Sequence, residues 1–136
     1  MLQLAALVNK PSLTIRVDID QDHRIGHGKI ELLEAINSCG SIAKAGRHLK
    51  MCYSRASDLV AEINETFGRE VVKGRAGGRK GGGAQLTPFG LKLVHRYRNI
   101  ERRVEDAVQG ELDGLRAELG SSAPERLGVG LFHSVF

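Results

Sequence analysis

One apolar stripe constrains the fold of this chain more than any other feature. Phe89, Leu93, Tyr97, Ile100, Val104, Ala107 or Val108, Leu112, Leu115 and Leu119 recur every three or four positions. That spacing describes one face of a single helix of about thirty residues. Thr87 and Pro88 precede it as a favoured N-cap and first-turn pair. A stripe of this length exceeds what a small domain can cover, so the helix over 88–119 is expected to meet a partner helix, with Phe89, Leu93, Tyr97, Ile100, Val104, Val108 and Leu115 as its contact face. Gly110 and Gly114 weaken its last third.

The chain has 136 residues, enough for one domain with its own core. Leu13, Ile15, Val17 and Ile19 alternate with Thr14, Arg16 and Asp18, which predicts a strand with one buried face. After a loop ending at Gly26 and Gly28, Ile30, Leu32, Leu33, Ala35 and Ile36 form a broad helical stripe closed by residues 37–40. Ser41 then caps a second, short helix marked by Ile42, Ala45 and Leu49. A third begins near Ser54, with Ala56, Leu59, Val60, Ile63 and Phe67 on one face and Gly68 as its stop. Small polar residues beside Tyr53 and Arg55 open that third helix. Two short-linked helices, the second presenting such residues at its start, are what a helix-turn-helix needs to read bases in a major groove.

Seven glycines and four basic residues without an acid fill Lys73 to Gly90. Residues 71–73 read as a short strand and 84–86 as its return, so the segment between them is a basic hairpin tip, where glycine allows positive φ and close backbone approach. Glu70 and Glu101 bracket a stretch with no acid, which holds Lys73, Arg75, Arg79, Lys80, Lys92, Arg96 and Arg98. A formal charge of +4 and a pI near 9.3 favour an anionic partner. A helix-turn-helix followed by strand, basic loop and strand is a winged helix. Its wing supplies phosphate contacts and its third helix supplies readout.

Other chemistries are poorly served. A nucleotide loop needs Gly-Lys-Ser/Thr, and Lys80 is followed by three glycines. Cys39, His48 and Cys52 lack the paired spacing of a structural zinc site. Asp20, Asp22, His23 and His27 suit a polar turn as well as a weak metal site. No catalytic constellation is evident, and neither an enzyme, a cofactor nor a metal is expected. Two cysteines and no secretory or membrane-spanning segment suggest a reducing, cytoplasmic setting.

The run LLEAINSCGSIAKAGRHLKMCYSRA, followed by GGRKGGGAQLTPFG, resembles the N-terminal DNA-binding domain of the molybdate-responsive (ModE) regulators, a winged helix akin to that of LysR-type regulators. The resemblance covers roughly residues 13–105. Its specific positions are Gly40-Ser41-Ile42, Tyr53, Gly77-Gly78, Gly81-Gly82-Gly83-Ala84, Leu86-Thr87 and Gly90. It implies a homodimer held by the long helix, with Tyr53, Ser54, Arg55 and Ser57 near the major groove. It also implies a link to molybdate or metal homeostasis.

Three positions depart from the family pattern. Ser57 stands where tryptophan is common, Ser54 where a basic residue follows the tyrosine, and Gly46 where alanine is common. A different preferred operator and a slightly loosened second helix are therefore expected. Family members carry oxyanion-binding domains after the dimer helix, and residues 120–136 are expected to be a tail instead. Either a separate effector-binding protein senses the signal or the chain is a stand-alone regulator.

The combined expectation is a mainly α fold with a small β component. It has an N-terminal extension (1–12), a winged helix-turn-helix (13–87) with a short N-terminal strand and a two-stranded wing, a dimerisation helix (88–119) and a tail (120–136). Double-stranded DNA would be held by helix 51–67 and wing 74–84 through Ser41, Tyr53, Ser54, Arg55, Ser57, Asp58, Lys73, Arg75, Arg79 and Lys80. The competing expectation is a protein-interaction or anion-sensing module that kept the fold and lost sequence readout.

Overall fold

The structure, a computed structural model, describes residues 11–78 and 81–120. The described residues divide into two compact units, Thr14–Glu101 and a second that contains residues 11–13 and 102–120. The first unit begins with β1 (Arg16–Asp18) and β2 (Arg24–Gly26), an antiparallel hairpin in which Val17 lies opposite Ile25. Three helices follow, α1 (His27–Cys39), α2 (Ile42–His48) and α3 (Tyr53–Phe67). The wing is a second antiparallel pair, β3 (Val72–Gly78) and β4 (Gly81–Leu86). A 33-residue helix, α4 (Pro88–Gly120), ends the described chain. This is a winged helix-turn-helix, mainly α with two small sheets.

Local chemistry accounts for most boundaries. Gly40 and Gly68 end α1 and α3 at φ 83° and 66°, in the left-handed region where glycine carries no Cβ penalty. Thr87 starts α4 by two bonds: its Oγ1 accepts from the Gly90 amide at 2.9 Å and donates to the Glu70 carbonyl at 2.8 Å. Two elements differ from the sequence expectation. The N-terminal strand is confined to Arg16–Asp18, leaves Ile19 exposed, and has a partner, β2, in residues read as loop. The wing strands also run further into the glycines than 71–73 and 84–86, because ladder bonds are made by backbone and do not require side chains.

The core of the Thr14–Glu101 unit is one cluster. Ile30, Leu32, Leu33 and Ile36 of α1 pack with Ala45 of α2, Ala56 and Ile63 of α3, Val71, Leu86, Leu93 and Tyr97. At about 25 cal/mol per Å² of apolar surface, each fully buried aliphatic side chain there contributes roughly 1.5–3 kcal/mol. Tyr97 also donates its hydroxyl to the Ile15 carbonyl, tying α4 to the N-terminal strand region.

Arg98 anchors α4 to α1. It donates to both Glu34 carboxylate oxygens, Nε to Oε2 at 2.9 Å and Nη2 to Oε1 at 2.7 Å, and bonds Glu101 as well. The guanidinium's hydrogen bonds hold the Glu34 carboxyl below the usual glutamate range. A carboxyl lowered by folding stabilises the fold above its unfolded pKa, and that contribution disappears as pH falls through the folded value. Glu34 is partly exposed, so the effect is limited to about 1 kcal/mol. Arg98→Gln should therefore lower the melting temperature at neutral pH and flatten its decline on acidification, read by thermal melts across the acid range.

The α4 stripe is used unevenly. Leu93 and Tyr97 are buried, Phe89 is half-buried, and Ile100 is exposed. Within the second unit, Val104 and Val108 are half-buried, Leu112 is buried, and Leu115 and Leu119 are 67% and 76% exposed. The N-terminal extension up to residue 10 and the tail from residue 121 lie outside the described residues.

Candidate nucleic-acid interface

Residues 49–52 connect α2 to α3 in a tight turn. Lys50 carries φ 61°, the single positive-φ residue other than glycine among the described residues. The Met51 amide donates to the Gly46 carbonyl at 2.8 Å. Gly46 is buried, and a Cβ there would lie 3.0 Å from the Met51 oxygen and 3.6 Å from the Ala56 Cβ. The glycine expected to loosen α2 thus has a packing role: its bare Cα lets the turn and α3 close onto α2. Ser41 caps α2, its Oγ accepting from the Lys44 amide at 3.0 Å.

The core face of α3 is Ala56, Leu59, Val60 and Ile63, all buried. Its first turns carry Tyr53, 57% exposed, with Ser54, Arg55 and Asp58 exposed and Ser57 half-buried. Five of the expected readout residues therefore share one helix end, and Ser41 sits at the start of α2, with its oxygen engaged as a cap. Cys52 precedes α3 as its N-cap. The Ser54 hydroxyl, 3.4 Å from its sulfur, and the Arg55 amide hold its exposed thiol below the usual cysteine range.

The wing root is pinned from three sides. Asn64 of α3 accepts from the Val71 amide at 2.8 Å, and Gly40 at the end of α1 accepts from the Ala84 amide at 2.7 Å. The Thr87 amide reaches the Val71 carbonyl at 3.0 Å, and Asn37 of α1 accepts a longer bond, 3.4 Å, from the Leu86 amide. Sequence reasoning missed Asn37 and Asn64. Their signal was present: asparagine is a poor helix former placed late in two amphipathic helices, where its amide can serve backbone outside the helix. Lys73 is exposed and pairs with Gln85, and Arg75 stands opposite Gly83 in the ladder. Arg79 and Lys80 lie outside the described residues.

Arg98 belongs to the acid-free stretch in sequence but not in space. Glu34 and Glu101 occupy its guanidinium, so it is withdrawn from any anionic partner. The polar turn around β1 and β2 is likewise self-contained. Asp20 Oδ1 accepts from the Asp22 and His23 amides, both at 2.9 Å, and meets His23 Nδ1 at 2.8 Å. His27 turns instead to Glu101 and Glu31. Asp20 and His23 therefore form one cluster and His27 another, and among the described residues no three such groups converge on a metal-sized site. No helix among the described residues is long and apolar enough to cross a membrane.

Residues 27–91 match the bacterial regulatory helix-turn-helix protein family of the lysR type. The chain is 38% identical over 103 residues to the molybdenum-pterin-binding protein MopA of Rhodobacter capsulatus, which covers 76% of this chain and 37% of that protein. It is 36% identical over 92 residues to the molybdenum transport protein ModE of Azotobacter vinelandii, covering 68% and 34%. With the transcriptional regulator ModE of Haemophilus influenzae it shares 30% over 95 residues, covering 70% and 37%. The chain thus spans little more than a third of these relatives' length. Among solved structures, it aligns with a chain of the BenM_DBD/benA site 1 DNA complex at 16% identity and a TM-score of 0.45, over 70% of this chain and 97% of that one. Residues 27–91 are thus a LysR-type helix-turn-helix domain, and the chain that carries them is a homologue of the ModE and Mop proteins.

Proposed function

We propose that this chain is a sequence-specific DNA-binding transcriptional regulator that acts as a homodimer in the cytoplasm, with a role in molybdenum-linked regulation. The carrying observation is the exposed polar end of α3, Tyr53 to Asp58, on a helix whose opposite face is locked into the core. Rigid presentation of short polar groups is what base readout in a major groove requires. In this reading Tyr53, Ser54, Arg55, Ser57 and Asp58 contact base edges and neighbouring backbone, with Ser41 at the start of α2. Lys73, Arg75, Arg79 and Lys80 on the wing contact phosphates.

The exposed Leu115 and Leu119 of α4 support pairing with a second copy, since large apolar side chains spaced by four on a helix gain most from burial against another helix. The names of the relatives support the molybdenum link, and a separate effector-binding protein would supply the signal if this chain does not sense it.

Selection from a random duplex library, followed by fluorescence anisotropy at two salt concentrations, tests the reading. A two-fold symmetric motif is expected, with half-sites about 34–36 Å apart or a multiple of that distance. Four neutralised phosphates per protomer would give a log-log salt slope near −7. A slope near zero would refute DNA binding. Sedimentation equilibrium checks the dimer: Leu115→Glu should shift the chain toward monomer, and an unchanged mass would exclude this face.

A further inference from the structure

A recess of about 340 Å³ opens between the β1–β2 hairpin, the first turn of α1 and the N-terminal half of α3. Arg16, Arg24, Lys29 and Arg55 line it, and no carboxylate does. Met51 and Leu59 complete the lining, which is largely apolar, and the four cationic side chains that share it repel each other unless counter-charge is supplied. Two carboxylates outside the lining supply part of it. Asp18 meets Arg16 at 2.9 Å and Arg24 at 3.7 Å, and Glu62 meets Lys29 at 3.4 Å. Four cations against two carboxylates leave two positive charges uncompensated, and Arg55 has no carboxylate partner among the described residues.

Two further features fit an anion. The N-cap of α1, Gly26, offers its first-turn amides no side chain, and no acid occupies that turn, so the positive helix end is not neutralised from within. At Gly28 the space stands open, since a Cβ built there meets nothing within 4 Å.

We propose that this recess is an oxyanion site for a phosphate-type group, taken either from a DNA backbone or from a free anion. Arg55 makes it continuous with the exposed end of α3, so the DNA source rests on the function proposed above. The free-anion source does not. Neither involves the wing.

The test uses the full chain, inorganic phosphate and the selected duplex. Backbone amide NMR shifts of Gly26, Gly28 and Lys29 follow the phosphate titration, and anisotropy at several salt concentrations follows the duplex. Gly28→Leu adds an apolar side chain to the lining from a position where a Cβ meets nothing within 4 Å, and Arg24→Gln removes one charge from it; melting temperatures confirm that both variants fold.

If DNA supplies the phosphate, both variants weaken every duplex by roughly sixtyfold near 0.1 M salt and reduce the salt slope by about 0.9 per protomer, about 1.8 for the dimer, with the preferred sequence unchanged. If a free anion does, the wild-type amides shift saturably with phosphate, those of Gly28→Leu do not, and duplex affinity is the same in both. Saturable phosphate shifts in a chain that binds no DNA would support the recess and refute the regulator reading. Wild-type duplex binding by both variants, together with no saturable phosphate shift, would overturn the oxyanion site and leave that reading intact.

Discussion

Gly90→Ala is expected to be strongly destabilising, more so than the same change at Gly26, Gly28, Gly46, Gly74, Gly110 or Gly114. A Cβ at position 90 would lie 2.2 Å from the Val71 carbonyl oxygen, 3.1 Å from the Val71 carbonyl carbon and 3.3 Å from the Leu86 Cβ. No side chain can swing aside, because the nearest atom is backbone. That carbonyl also accepts the Thr87 amide at 3.0 Å, so moving it loosens the start of α4 and the wing root together. Overpacking of this kind costs about 3 kcal/mol or more. A domain of this size holds only about 5–15 kcal/mol in total, and the melting temperature should fall by roughly 10–20 °C. Thermal denaturation followed by circular dichroism measures it. Gly28→Ala is the control: a helical glycine with open space around it should become neutral or slightly more stable on gaining the same methyl group. Equal melting of Gly90→Ala and wild type would contradict the close approach of α4 to Val71.

Reversing the wing charges should give the largest functional effect. Counterion release contributes about 0.9 log units per phosphate contact for each tenfold dilution of salt. Arg79→Glu with Lys80→Glu would remove two contacts per protomer, four per dimer. At about 0.1 M salt the expected loss is on the order of a thousandfold or more, and the salt slope should become shallower by about 3.6. The preferred sequence should not change, because phosphates carry no base information. Tyr53→Ala should do the opposite, altering or abolishing the selected motif with little change in slope. Undiminished duplex affinity in the charge-reversed protein would remove the wing from the interface and favour an interaction module instead.

The features legible in the sequence are those set within a few residues of chain. Ser41 as a cap, Gly40 and Gly68 as left-handed stops, Thr87-Pro88 as a helix start and the 3.6-residue stripes all depend on near neighbours and backbone conformation, so residue type and spacing suffice to read them. The exposed end of α3 was legible for the same reason, since a helix's buried and open faces follow from its period.

What only the tertiary structure decided is which distant groups meet. β2 is three residues long and is recognisable only once β1 lies beside it. Arg98 looked like part of a basic surface until Glu34, 64 residues away, was found to hold it. Asn37 and Asn64 became wing anchors, Gly46 a packing site for the turn, and Gly90 a contact with Val71, because each satisfies a backbone group or a volume contributed from elsewhere. Periodicity reports which face of an element is buried. The partner against which it is buried, and the polar atom it must satisfy there, are properties of the folded chain.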